Sequence, residues 1–215
     1  MQSSEPLQSR PKRADHRRET TRLAIIEAAE TLFAERGIDA VSLREIGAAA
    51  GAKNTAVVSY HFGDKEGLLD AILHSRLPAF DTRRAGLQAQ VKGEPDVTAI
   101  LRVLALPIFE QRNSQGKRSY AAFLGSLGRS QFRDVWAPNK SAIPATMELG
   151  AKLREQMPAG TGRFYEERLF ACTAMLTSAI EAIDRRLDLD AEAERALFND
   201  AIRMAAAAFT APFVQ

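Results

Sequence analysis

A single cysteine, Cys172, in 215 residues leaves no partner for an intrachain disulfide and rules out a multi-cysteine zinc site. No apolar run approaches the ~18 residues that a membrane-spanning helix needs. The first 22 residues are polar and basic and carry no apolar segment, unlike a secretory leader. Neither sign of charge dominates: 29 Lys and Arg stand against 27 Asp and Glu, so bulk charge does not announce a polyanionic partner. Catalytic patterns are missing too, with no Gly-x-Ser-x-Gly, no phosphate-binding glycine loop and no His-Glu-x-x-His. His16 and His74 read as solvated side chains and Cys172 as a core residue in an apolar stripe. The expectation is a cytoplasmic, non-enzymatic protein with no metal and no cofactor.

What is present is helix. Nothing alternates apolar and polar over six residues between turn signals, so an all-α chain is expected. A first helix is expected to start between Asp15 and Thr20 and to run to Arg36. Ile25, Ile26, Ala29, Leu32 and Phe33 form its apolar stripe, and Glu27, Glu30, Glu35 and Arg36 take the other side. Gly37 supplies the stop. Ser42-Leu43-Arg44-Glu45 has the spacing of a capping box and opens a short helix that ends near Gly51. A third helix is expected from Asn54 or Thr55 to Phe62, and a fourth from the Asp64 cap to about Arg76, burying Leu68, Leu69, Ile72 and Leu73. Further helices are expected at Phe80–Val91, Asp96–Gln111, Ser119–Leu127 and Ser141–Met157, with Pro107 and Pro144 marking kinks or first turns. Two long helices, Gly162–Leu187 and from the Asp190 cap to Phe209, close the chain.

Two short helices separated by a glycine-ended turn, Ser42–Ala50 and Asn54–Phe62, have the pattern of a helix-turn-helix. Val58 and Phe62, four apart, can pack inward with Leu43 and Ile46. Thr55, Ala56, Ser59 and Tyr60 then project from the opposite side, where small uncharged residues suit close approach to a DNA groove. The same shape occurs in proteins that never touch DNA, so pattern alone leaves both readings open.

The run Ile26, Ala29, Phe33, Gly37, then Ser42-Leu43-Arg44-Glu45-Ile46, Ala50-Gly51 and Tyr60-His61-Phe62-Gly63-Asp64-Lys65-Glu66-Gly67-Leu68-Leu69, resembles the N-terminal domain of TetR-family transcriptional regulators. The resemblance covers about residues 17–70. It implies an N-terminal helix-turn-helix three-helix domain at 17–63 and a larger effector-binding and dimerisation domain at 64–215. Residues 1–16 are expected, by composition, to be a flexible basic arm.

The resemblance also implies a ligand-responsive repressor. It would bind a palindromic double-stranded DNA operator as a homodimer and be released by a small-molecule effector. A helical ligand-binding or interaction protein without operator-specific binding is the alternative. By position, Ser59, Tyr60 and His61 match residues that contact DNA backbone or bases, and Asn54, Thr55 and Ala56 open the recognition helix. Ser42, Arg44 and Lys65 match phosphate or base contacts, and Arg17, Arg18 and Arg22 can lie along phosphates. Arg10, Lys12 and Arg13 would reach an adjacent minor groove. One residue more than the commonest family spacing lies between Gly51 and the Tyr-His-Phe block. That leaves open whether Lys53 or Asn54 begins the recognition helix.

The last two helices are apolar on two sides. Leu169, Cys172, Leu176, Ala179 and Ile183, with Leu197, Ala201, Met204 and Ala208, are expected at a homodimer interface, burial within one subunit being the other reading. Phe80, Phe109, Tyr120, Phe123, Phe132, Trp136 and Met147 are either the lining of an effector pocket or plain core.

Overall fold

The computed structural model describes residues 11–52, 54, 56–135 and 143–213. Arg10, Lys53, Thr55 and Trp136, all singled out above, lie outside the described residues, as do the side chains of Lys12 and Arg13. Every regular element among the described residues is helical: α1 (Pro11–Arg36), α2 (Leu43–Ala49), α3 (Val57–Phe62), α4 (Lys65–Gln88), α5 (Val97–Glu110), α6 (Ser119–Arg129), α7 (Pro144–Glu155), α8 (Tyr165–Asp184) and α9 (Ala191–Phe209). Short 3-10 turns lie at Arg133–Val135 and Gly162–Phe164.

Four helices begin on a side chain that accepts from the backbone of their first turn. Ser42 caps α2, Asp64 caps α4, Asp96 caps α5 and Asp190 caps α9. Gly37 ends α1 at φ +82°, a left-handed conformation that a side chain would resist. Pro144 starts α7, where its missing N–H has no intrahelical partner to lose.

Three boundaries differ from expectation. The segment read as a flexible arm is helical from Pro11 onward, because no breaker separates it from the amphipathic stretch. α3 starts at Val57, not at Asn54, because the Asn54 side chain accepts from the Ala56 N–H and makes a turn there. α4 runs straight through Pro78, fusing two expected helices. Pro78 lies on the exposed side, where water can serve the carbonyl left without a partner, while Leu77, Phe80, Asp81 and Arg84 are buried opposite.

Two apolar clusters hold the chain. The first joins Ile25, Ile26, Ala29 and Phe33 of α1 to Ile46, Val58, Leu68, Leu69 and Ile72 of α2–α4. It also takes in Tyr120, Phe123, Leu124 and Leu127 of α6, so the N-terminal head is built onto the body rather than beside it. The second fills the space between α5, α7, α8 and α9 around Ile100, Leu149, Leu153, Cys172, Ile180, Phe198 and Phe209. At ~1.5–3 kcal/mol for each fully buried large apolar side chain, these clusters are the principal favourable contribution to folding.

Candidate nucleic-acid interface

The head is fixed first at the start of α2. Ser42 Oγ accepts from the Glu45 N–H at 3.3 Å and donates to Glu45 Oε2 at 2.7 Å, and the Ser42 N–H donates to the same oxygen at 2.8 Å. Arg36, the last residue of α1, donates to Glu45 Oε1 at 2.8 Å. The Ser42 N–H, then the Ser42 hydroxyl and Arg36 hold the Glu45 carboxyl down at about 2, so it stays ionised and pins α2 to the end of α1.

After α2 the chain turns at Gly51, φ +72°, and enters α3. Val58 is fully buried against the head cluster and Val57 and Phe62 are half-buried beside it. Ala56, Ser59 and Tyr60 are exposed on the other side, Tyr60 at 71%. The close seating of α3 on α4 depends on Gly67: a Cβ there would lie 2.1 Å from the Phe62 carbonyl oxygen.

Cations approach this face from α1. The Arg18 guanidinium sits 5.6 Å from the centre of the Tyr60 ring and Arg22 sits 5.5 Å from that of Phe62. His61 stacks edge-on to Tyr60 at 5.3 Å. Burial, then the nearby charges of Arg18 and Arg22, lower its pKa against a smaller opposing effect of Glu19, so the ring is neutral at pH 7. Arg17 is exposed on the same helix. Arg44, exposed on α2, makes no hydrogen bond or ion pair with any described residue.

Two expected phosphate contacts have other duties. The Ser42 hydroxyl is spent inside the capping box. Lys65 is half-buried, donates to the Ile38 carbonyl at 3.0 Å and lies 5.8 Å from the Phe132 ring, so it braces the start of α4 against the turn after α1.

Residues 25–72 match the family described as bacterial regulatory proteins, tetR family. The head is thus similar to the DNA-binding domain of that family. The match spans α1 from Ile25, all of α2 and α3, and the first third of α4. Two curated proteins, an HTH-type transcriptional repressor of Mycobacterium tuberculosis and an HTH-type transcriptional regulator of Mycobacterium bovis, are each 42% identical over 79 residues. Those matches cover 32% of this chain and 42% of each relative. A solved structure described as a TetR-family transcriptional regulator of Mesorhizobium loti superposes with a TM-score of 0.50 at 18% identity. It covers 89% of this chain and 97% of that one, and the likeness is one of fold.

Behind the head lie contacts that patterning missed. Glu30, assigned above to the polar side of α1, is 1% exposed. Its carboxylate takes Arg76 Nε and Nη2 of α4 at 3.2 and 3.0 Å and the Ser119 hydroxyl of α6. Ser126 of α6 accepts from the Ile38 N–H at 3.0 Å. An acidic residue beside an apolar stripe, with arginine and serine far away in sequence, gives no local signal of burial.

Expectations for the larger domain are corrected in part. Cys172, Leu176, Ile183 and Ala201 are buried in the subunit's own core, so their stripe joins α8 to its neighbours and is not free for a partner. Leu169 and Ala179 are half-buried against that core, whereas Leu197, Met204 and Ala208 are exposed. Among the described residues these aromatic side chains fall in two separate clusters. Phe109 stacks on Phe198 at 4.3 Å under Arg118, in a different cluster from Phe80, Tyr120 and Phe123, and Met147 is exposed on α7.

Proposed function

We propose that this protein is a homodimeric transcriptional repressor that binds a palindromic operator and is released by a small-molecule effector. The observation that carries the reading is the division of α3: Val58 anchors it inside while Ala56, Ser59 and Tyr60 are exposed, with Arg18 over the Tyr60 ring and Arg17 and Arg44 exposed on α1 and α2. Small and hydroxyl-bearing groups can approach base edges, the arginines neutralise phosphates, and neutral His61 can donate or accept a hydrogen bond. Repression is the activity named for the Mycobacterium tuberculosis relative. The protein acts by binding in the cytoplasm and not by catalysis.

Dimerisation supplies two such faces. Phe170 on α8 and Leu197 and Met204 on α9 are large apolar side chains left exposed, with Ala171 and Ala208 among them. Packing this face against its own copy makes a four-helix bundle and sets the two heads on a two-fold axis. Effector release is a population shift. α4 begins in the head at Lys65 and ends in the body at Gln88, so a ligand that prefers one setting of α4 changes the spacing of the two heads. By linkage, operator must weaken effector binding by the same factor.

The test is selection of genomic DNA fragments by the full chain at moderate salt, followed by titration of the selected fragment. Wild type is expected to show steep salt dependence, and Tyr60→Ala combined with Arg44→Ala to lose about tenfold or more in affinity. No selection of specific fragments, or full specific binding by the double variant, would reject the assignment.

A further inference from the structure

The head and α6 are packed as one unit. Glu30 of α1 accepts from the Ser119 hydroxyl at the start of α6, and the Ile38 N–H donates to Ser126 Oγ at 3.0 Å further along it. These ties stand about 10 Å apart on the helix. Phe123 stacks on Phe33 of α1 at 6.2 Å, and Leu124 and Leu127 enter the same apolar cluster. A shift of α6 therefore carries the head with it.

On its side toward α8, α6 presents glycine. A Cβ added to Gly125 would lie 3.4 Å from Thr177 Oγ1, and one added to Gly128 would lie 3.3 Å from Cε2 of the Phe170 ring. Gly128 is thus a seat for that ring, and a larger residue there would push the ring away. Thr177 is buried in this contact, but Phe170 stays 53% exposed. One edge of its ring rests on α6 and the remainder is open. Small side chains continue from it along the outer surface of α8: Ala171 and Ser178 are exposed and Ala174 is half-buried, all at helical spacing on one side. They let another helix approach closely. With the exposed Leu197, Met204 and Ala208 of α9 they make up the surface assigned above to a second copy of the chain, and Phe170 stands where that surface borders α6.

We propose that Phe170 is the positioning residue through which dimer packing sets the heads: the partner copy presses on the open part of the ring, the ring presses on Gly128, and α6 carries the displacement to the head. The inference rests on the homodimer reading above and adds how such a dimer fixes the separation of its two recognition helices. A side chain that served only as apolar area would need no glycine opposite it. One buried wholly within the subunit could not feel the partner.

The experiment measures the distance between the two heads in the full chain without DNA. Cys172 is buried, so a cysteine introduced at the exposed Glu35 of α1 takes a spin label. Sedimentation first establishes the dimer, and pulsed electron spin resonance then gives the distance between the two labels. Phe170→Ala is expected to move the mean distance, or to widen its spread, by about 2 Å or more. Leu197→Ala removes a comparable apolar side chain from the α9 part of the surface. It should weaken the dimer yet leave the distance unaltered at a concentration where the variant is dimeric. If Phe170→Ala is monomeric, Phe170→Leu is read in its place, since leucine keeps apolar area for the partner but lacks the flat ring. A smaller shift in the dimeric variant, a shift of that size in Leu197→Ala, or a monomeric Phe170→Leu would overturn the proposal. A monomeric wild type rejects the dimer reading and this inference with it. DNA selection is scored separately: its failure rejects the regulator reading, whereas an unmoved distance with selection intact rejects this inference alone.

Discussion

Replacing Gly67 by alanine probes the joint between the recognition helix and α4. The added methyl would lie 2.1 Å from the Phe62 carbonyl oxygen and 3.3 Å from its carbon. Relaxed carbon–oxygen contacts are about 3.3–3.6 Å, so the end of α3 must retreat by roughly 1 Å. The obstacle is backbone and cannot swing aside. Overpacking of this kind costs ~1–3 kcal/mol, against which alanine recovers about 1 kcal/mol of helix propensity, leaving a net loss of up to about 2 kcal/mol. Gly86 is the control, since it lies on the same helix and an added Cβ there meets nothing within 4 Å. Gly86→Ala should stabilise by about 0.5–1 kcal/mol. Urea denaturation followed by circular dichroism compares the two variants. Because the shift moves Ser59 and Tyr60, Gly67→Ala should also lose about tenfold or more in DNA affinity, while Gly86→Ala keeps it. A Gly67→Ala protein as stable as Gly86→Ala would refute the close-approach argument.

Glu30→Ala removes one partner of a buried pair whose other member, Arg76, is 31% exposed, so the loss in a urea titration should be about 2 kcal/mol, below the value for fully buried pairs. Ser42→Ala removes the α2 cap and should cost about 1 kcal/mol. The Glu45 carboxyl is held at about 2 in place of 4.5, so the contribution of its clamp is complete above pH 4.5 and is lost as pH falls toward 2. An NMR titration should show the Glu45 pKa rising in Ser42→Ala, and an unchanged value would contradict the clamp. His61 has a lowered pKa in the free protein, and neighbouring phosphates would raise it. Complex formation then takes up a proton, and affinity for DNA should increase as pH falls through about 6.5. His61→Gln should flatten that dependence in a gel-shift series.

The parts legible in the sequence are those whose causes are local. Ser42, Asp64, Asp96 and Asp190 accept from N–H groups three residues on, and Gly37 meets a conformational demand of its own position. Signals of this range predict where helices start and stop without knowledge of the fold. The misses are of a different kind. Pro78 is a strong local stop overridden by burial of the opposite face of α4. Glu30 is buried because Arg76 and Ser119 come to it from α4 and α6. The stripe through Cys172, Leu176 and Ile183 has the periodicity of any buried helix face, which does not say whether the covering surface belongs to the same chain or to another. In the head, the motif placed Tyr60 and Ser59 on the open face. The brace made by Lys65 depends on the Ile38 carbonyl, 27 residues away, which no motif records.

The account stands or falls on whether two copies of α3 read DNA together. Footprinting of the wild-type chain on a selected genomic fragment should protect two inverted half-sites centred about 10–10.5 base pairs apart or a multiple of that spacing, and Met204→Glu with Leu197→Glu should lose the paired protection. Protection of a single half-site by wild type, or paired protection unaltered in that double variant, would contradict it.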